Sequence, residues 1–184
     1  MLLLFCFFKV LFLLLVETTG TSYDIDYHGL RTTEGTENFF QYNYTLDKLS
    51  ELRFEASGNI RQLVPLDDSY EVSMRLSRAD LTTDDPPMYD NIMNIQKPVC
   101  KFMKTTYRRY FYGELKDISN LPHYDSCPLS PTDYWVRQYT FEGQDYSEFL
   151  REGRFKLECY LIKDDEIVAG VIGESTVKKV AATE

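Results

Sequence analysis

Two periods run through this chain. Over most of its length apolar residues alternate with polar ones, the period of a strand with one buried face, and in one stretch they recur at helical spacing. Ser22 to Leu30 sets Tyr23, Ile25 and Tyr27 against Asp24, Asp26 and His28. Phe39 to Leu46 is aromatic and β-prone, and Ser50 to Ala56 reads as a strand that stops at a turn, Ser57-Gly58-Asn59. Ser69 to Leu76 alternates cleanly, with Tyr70, Val72, Met74 and Leu76 on one side. Tyr134 to Phe141 is rich in aromatic and β-branched residues. Arg154 to Lys163 places Phe155, Leu157, Cys159 and Leu161 on one side; Asp164-Asp165-Glu166 turns the chain, and Ile167 to Val180 returns as a hairpin with a longer loop. Tyr146 to Leu150 reads as a short turn or helix, and Ala181 to Glu184 as a frayed tail.

The helical period begins after a break at Asp84-Asp85-Pro86-Pro87. From Pro98 to about Leu115, Val99, Phe102, Met103, Thr106, Tyr110 and Phe111 fall on one side and Lys101, Lys104 and Arg108 on the other. Pro98 suits a first turn and Gly113 a helix end. Ser119 to Thr132, with Pro122, Pro128 and Pro131, is a loop. About six to eight strands with frequent turns and one helix predict a mainly β fold: an antiparallel β-sandwich with a helix inserted around residues 98–113.

The leader changes the composition. Met1 to Val16 is apolar except for Lys9, and Glu17-Thr18-Thr19-Gly20 ends in a small residue, the form of a secretory signal peptide over residues 1–20. The expected mature chain, residues 21–184, is a single domain with no later stretch of membrane-spanning length. Lys9 and Glu17 leave together, so the net charge of −9 is unchanged. That acidity argues against nucleic acid, which needs a basic stripe, and against attachment to anionic lipid. Phe5, Phe7, Phe8 and Phe12 leave as well, while all 14 tyrosines stay. Tyrosine suits surfaces that are apolar on one side and wet on the other.

Behind such a leader the expected location is extracellular, where disulfides form. Cys6 belongs to the leader; Cys100, Cys127 and Cys159 remain, and the sequence permits three different single bridges. Cys100–Cys127 is favoured, since one stands at the start of the helix and the other in the Pro-rich loop. Cys159, inside a strand pattern, reads as a small buried hydrophobe. Asn43-Tyr44-Thr45 is a glycosylation sequon.

Catalytic motifs are missing. There is no G-x-S-x-G elbow, H-E-x-x-H or P-loop. His28 and His123 read as surface and loop residues, and Asp67-Asp68, Asp84-Asp85 and Asp164-Asp165 as turn-forming acids. The absence of C-x-x-C and the distance between the two histidines argue against a metal site. The expectation is a protein that is not an enzyme and uses no cofactor.

The second half carries a resemblance. Cys100-Lys101-Phe102-Met103 opens a helix, Ser119-Asn120-Leu121-Pro122 and Ser126-Cys127-Pro128-Leu129 follow, and after Phe149-Leu150 a strand starts at Gly153-x-Phe155. Over roughly Val99 to Val180 this resembles the CheB chemosensory proteins of flies, a group related to the ganglioside activator and the ML lipid-recognition domains. The resemblance implies a cup-like sandwich around an apolar cavity. It implies a secreted, non-enzymatic protein that binds a hydrophobic or lipid-like ligand in gustatory or pheromone chemosensation, with a chemosensory receptor or ion channel as a further partner. By position, Cys100 and Cys127 match the family's shared cysteines. The cavity walls expected on this basis are Phe102, Met103, Tyr110 and Phe111 of the helix and Trp135, Phe141, Phe155 and Leu157 of the strands. Two other readings stand beside it: an extracellular receptor-interaction module without a small ligand, and a secreted glycosidase using two carboxylates.

Overall fold

The structure, a computed structural model, describes residues 22–81, 86–142 and 151–180. The expected leader, the acids Asp84 and Asp85, the segment Tyr146 to Leu150 and the C-terminal tail lie outside the described residues. Among the described residues eight strands appear in chain order: β1 (Ser22–Thr32), β2 (Phe40–Lys48), β3 (Arg53–Gln62), β4 (Tyr70–Ala79), β5 (Asp90–Pro98), β6 (Asp133–Glu142), β7 (Gly153–Lys163) and β8 (Glu166–Val180). They form two antiparallel sheets, a five-stranded one in the order β1-β8-β7-β4-β5 and a three-stranded one in the order β2-β3-β6.

The alternation dictates how the sheets face each other. Val72, Met74 and Leu76 of β4 and Phe155, Leu157, Cys159 and Leu161 of β7 point from the larger sheet. Phe40, Phe54, Ala56, Ile60, Tyr134, Val136 and Tyr139 point from the smaller one, and all belong to one continuous core. This is a β-sandwich, with inward residues interdigitating between the layers. The β7–β8 hairpin is tighter than its sequence suggests. Lys163 pairs with Glu166, and Asp164 and Asp165 alone make the turn with φ of 51° and 64°. Aspartate tolerates this left-handed region better than most residues, and such a turn matches the twist of the strands.

Helix α1 connects β5 to β6. It starts as one α-helical turn (Val99–Phe102), continues as a π-helix (Met103–Tyr112) and closes α-helically (Gly113–Leu115). Asp68 caps its start by accepting a hydrogen bond from the Cys100 N–H at 2.8 Å. Gly113 is inside the helix rather than at its end. The wider winding also changes the buried face. Phe102, Met103, Thr106, Tyr107, Phe111 and Leu115 are buried, while Tyr110 is only half-buried.

Two further differences have physical reasons. Ser57-Gly58-Asn59 is not a turn: β3 is the central strand of its sheet and passes through these residues with a bulge opposite β6. Ladder bonds on both sides outweigh the turn propensity. Gly58 is needed there because a Cβ would come within 2.9 Å of the Asn43 carbonyl oxygen. Strand β5 lacks a strong pattern because it is an edge strand with Asp90, Asn91, Ile92, Asn94 and Gln96 exposed.

Candidate functional site

The two long sides of the sandwich are closed differently. On one side the edge strands β5 and β6 are bridged by α1 and its loop. Cys100 and Cys127 form a disulfide with Cα atoms 5.5 Å apart. Tyr139 donates to Glu114 at 3.0 Å, and Tyr107 to the Pro122 carbonyl at 3.1 Å. The loop is pinned to the β3–β4 connection by paired backbone bonds between Leu66 and Leu129 at 2.9 and 2.8 Å, with Gln62 also donating to Leu129.

On the other side β1 faces β2, and the seam is polar and aromatic. Lys48 donates to Asp24 at 2.6 Å and to the Ile25 carbonyl at 2.8 Å, and the Ile25 N–H reaches the Glu51 carbonyl at 3.2 Å. Lys178 donates to Asp26 at 3.2 Å; this bond, with the two nearby lysine charges, holds the Asp26 carboxyl below its usual range. Deeper in the seam stand Tyr27 of β1 and Tyr42, Tyr44 and Leu46 of β2. All four pack on the core and all are only partly buried. Tyr27 hydrogen-bonds across the seam with Tyr44, and burial followed by this bond pushes its phenol well above the usual tyrosine value. Burial also raises Tyr42, against a hydrogen bond with Thr32, and Tyr134. Ser175 of β8 pairs in register with Tyr27 and with the inward-facing Phe155. It is 1% exposed, and its hydroxyl has no hydrogen-bond partner among the described residues. A buried hydroxyl left without a partner costs about 1–3 kcal/mol.

The residues expected to wall a cavity divide into groups. Phe102, Met103, Phe111, Phe155 and Leu157 are at most 5% exposed and lie together in the core. Tyr110 is half-buried against the core, with the Arg109 guanidinium 5.0 Å from its ring. Trp135 is a correction: it is 38% exposed, on the outer face of the three-stranded sheet. The strand period explains this, since Tyr134 and Val136 on either side point inward. Phe141 is placed by backbone register opposite Phe54, and its side chain lies outside the description. Asn43 is exposed, on the outer face of β2. The seam tyrosines were absent from the expected set, although their signal is legible: FFQYNYTL carries Tyr42 and Tyr44 at a period of two, continuing the buried face of Phe40.

The remaining candidate chemistry has structural employment. His28 Nε2 lies 2.7 Å from the Thr176 hydroxyl, and His123 packs edge-on against Tyr112 and at a tilt against Tyr124. Asp67 accepts from the Ser69 N–H and hydroxyl, Asp68 caps α1, and Asp164 and Asp165 make a turn. A cleft of about 660 Å³ on the outer face of the larger sheet is lined by Arg31, Arg154, Lys156 and Tyr89. Two of its cations are paired, Arg31 with Glu174 and Lys156 with Glu158, each at 3.3 Å. No group of His, Cys, Asp and Glu among the described residues is arranged to hold a metal. Nor is any helix among them long and apolar enough to cross a membrane.

Residues 72–157 match a family model described as Protein of unknown function (DUF1091). The matched stretch runs from β4 through α1, the disulfide and β6 into β7. No curated protein matches the chain.

Proposed function

We propose that this chain is a secreted, non-enzymatic binding protein for a hydrophobic or lipid-like ligand, housed between the two sheets and entered along the β1–β2 seam. The observation that carries the reading is the row of inward-facing, partly buried side chains Tyr27, Tyr42, Tyr44 and Leu46. Aromatic rings with polar tips suit the mouth of an apolar site, and the buried Ser175 hydroxyl, without a hydrogen-bond partner among the described residues, offers a contact for a ligand's polar end. Residues 1–20 and the Cys100–Cys127 bridge support secretion. The resemblance to CheB-type proteins supports a role in insect chemosensation, and the family match overlaps most of the stretch that carries it.

A second reading, a receptor-interaction module without a small ligand, is favoured by one observation. Met88 is 86% exposed and Ile92 of the edge strand β5 is 40% exposed. Native mass spectrometry of protein secreted from insect cells separates the two. The first reading expects a lipid or hydrocarbon adduct that is lost on delipidation and regained on feeding with mixed lipids. A clean protein mass in both preparations would sink it and leave the second.

A further inference from the structure

The outer face of the three-stranded sheet carries a feature that ligand binding does not use. Asn43 pairs in register with Asn59, and Asn59 with Trp135, so the three stand in one row across β2, β3 and β6. All three side chains are exposed. The next row is Gln41, Arg61 and Asp133, with Arg61 held to Asp133 by two hydrogen bonds of 2.6 and 3.2 Å. Together the rows line a groove of about 440 Å³. Asn43 is also the acceptor residue of the sequon Asn43-Tyr44-Thr45.

The side chain of Asn43 is oriented by its neighbours. Arg137 donates to Asn59 Oδ1 at 2.9 Å, and Asn59 Nδ2 in turn lies 3.4 Å from Asn43 Oδ1. The carbonyl end is thereby engaged, and the nitrogen that would carry a sugar is left to the groove. Trp135 lies two strands away, about 10 Å at the usual inter-strand spacing. Its backbone is fixed by Asn120, which accepts from the Trp135 N–H at 2.6 Å. Indole, with the Arg137 guanidinium 5.4 Å from its ring, offers its remaining apolar surface to the apolar side of a pyranose, and the Asn59 amide and the Arg61–Asp133 pair offer partners to its hydroxyls and acetamide.

We propose that Asn43 carries an N-linked glycan whose first two N-acetylglucosamine rings lie along the Asn43–Asn59–Trp135 row and cover Trp135. The inference rests on the secretion part of the functional reading. The glycan shields an exposed tryptophan and encumbers β2, an edge strand of its sheet.

Trp135 is the chain's single tryptophan, so its fluorescence reports this site alone. The test compares acrylamide quenching and intact mass for protein secreted from insect cells as wild type, Asn43→Gln, Thr45→Ala and Thr45→Ser. Thr45→Ala removes the sequon while leaving the Asn43 amide, and Thr45→Ser keeps the sequon; circular dichroism checks that each is folded. Wild type and Thr45→Ser are expected to carry the glycan mass and to be quenched roughly twofold less than the other two, as for a ring losing about half its exposed surface. Equal quenching of glycosylated and unglycosylated folded forms overturns the inference. A secreted chain unmodified at Asn43 also overturns it and leaves the functional reading intact. A chain retained in the cell with its leader uncleaved overturns both.

Discussion

Asp68 shows how one side chain can decide where an element starts. Pro98 stands before the first turn of α1, and the Cys100 N–H is satisfied by the Asp68 carboxylate from the far end of the β3–β4 connection. Asp68→Ala should cost about 1 kcal/mol in urea unfolding, the usual loss for a helix cap. The two kinds of cysteine should also separate. Cys159 is fully buried in β7, and burial pushes its thiol up, so it should resist thiol reagents until the protein unfolds. Cys159→Ala should cost roughly 1 kcal/mol through the small void it leaves. Replacing both Cys100 and Cys127 by Ser should cost more, about 3–4 kcal/mol for a sequence separation of 27 in the chain-entropy account. Melting curves of the two variants check the order. At this scale the sequence was legible where burial follows the local period, as for Leu157 and Phe155. It was not legible for Trp135, since an aromatic-rich strand does not announce which of its two faces is inward.

Strands β1, β4 and β7 could be read from alternation because each presents one face to the core, β2 and β6 from their aromatic and β-branched content, and β8 as the return of a hairpin. Strand β5 could not, since an edge position leaves both of its faces partly wet. The helix was legible in position but not in winding. The helical reading puts Tyr110 inward and omits Tyr107, whereas the π-helical stretch, with i→i+5 bonding, buries Tyr107 four residues after Met103 and leaves Tyr110 half-buried. Gly113 follows from the same element. It has ordinary helical φ and ψ (−57° and −36°), and apart from its chain neighbours and the helix's own backbone no described atom lies within 4 Å of where a Cβ would be. Gly113→Ala should therefore stabilise the protein by about 0.5–1 kcal/mol, read as a higher denaturation midpoint at unchanged m-value. Were Gly113 a helix terminus with special backbone needs, the same change would destabilise.

Across the whole molecule, tyrosine takes much of the role that phenylalanine plays in a dry core. Tyr27, Tyr42, Tyr134 and Tyr160 all have phenols pushed above the usual value, mainly by burial, and Tyr160 reaches about 12, helped by the neighbouring Glu158 carboxylate. Each is an acid whose folded value exceeds its unfolded value near 10. Their contribution to stability is therefore intact below about pH 10 and is lost as pH rises toward 12, while the unfolded chain ionises and the folded one does not. Urea titrations from pH 8 to 12 should show that fall, accompanied by delayed phenolate absorbance. The sandwich itself was legible from strand count and turn spacing. The seam was not, because which edge strands face each other is set by sheet order, and local pattern is silent on that.

The proposed entry of an apolar ligand between the sheets at this seam is checked by an equilibrium titration of delipidated protein with an apolar fluorophore, for wild type, Ser175→Leu and Trp135→Ala. Saturable one-to-one binding that a long-chain fatty acid displaces is expected. Ser175→Leu, which fills the interior, should weaken it, and Trp135→Ala, on the outer face, should leave it unchanged. Folded wild-type protein that shows no saturable binding, or binding lost in Trp135→Ala and kept in Ser175→Leu, would contradict it.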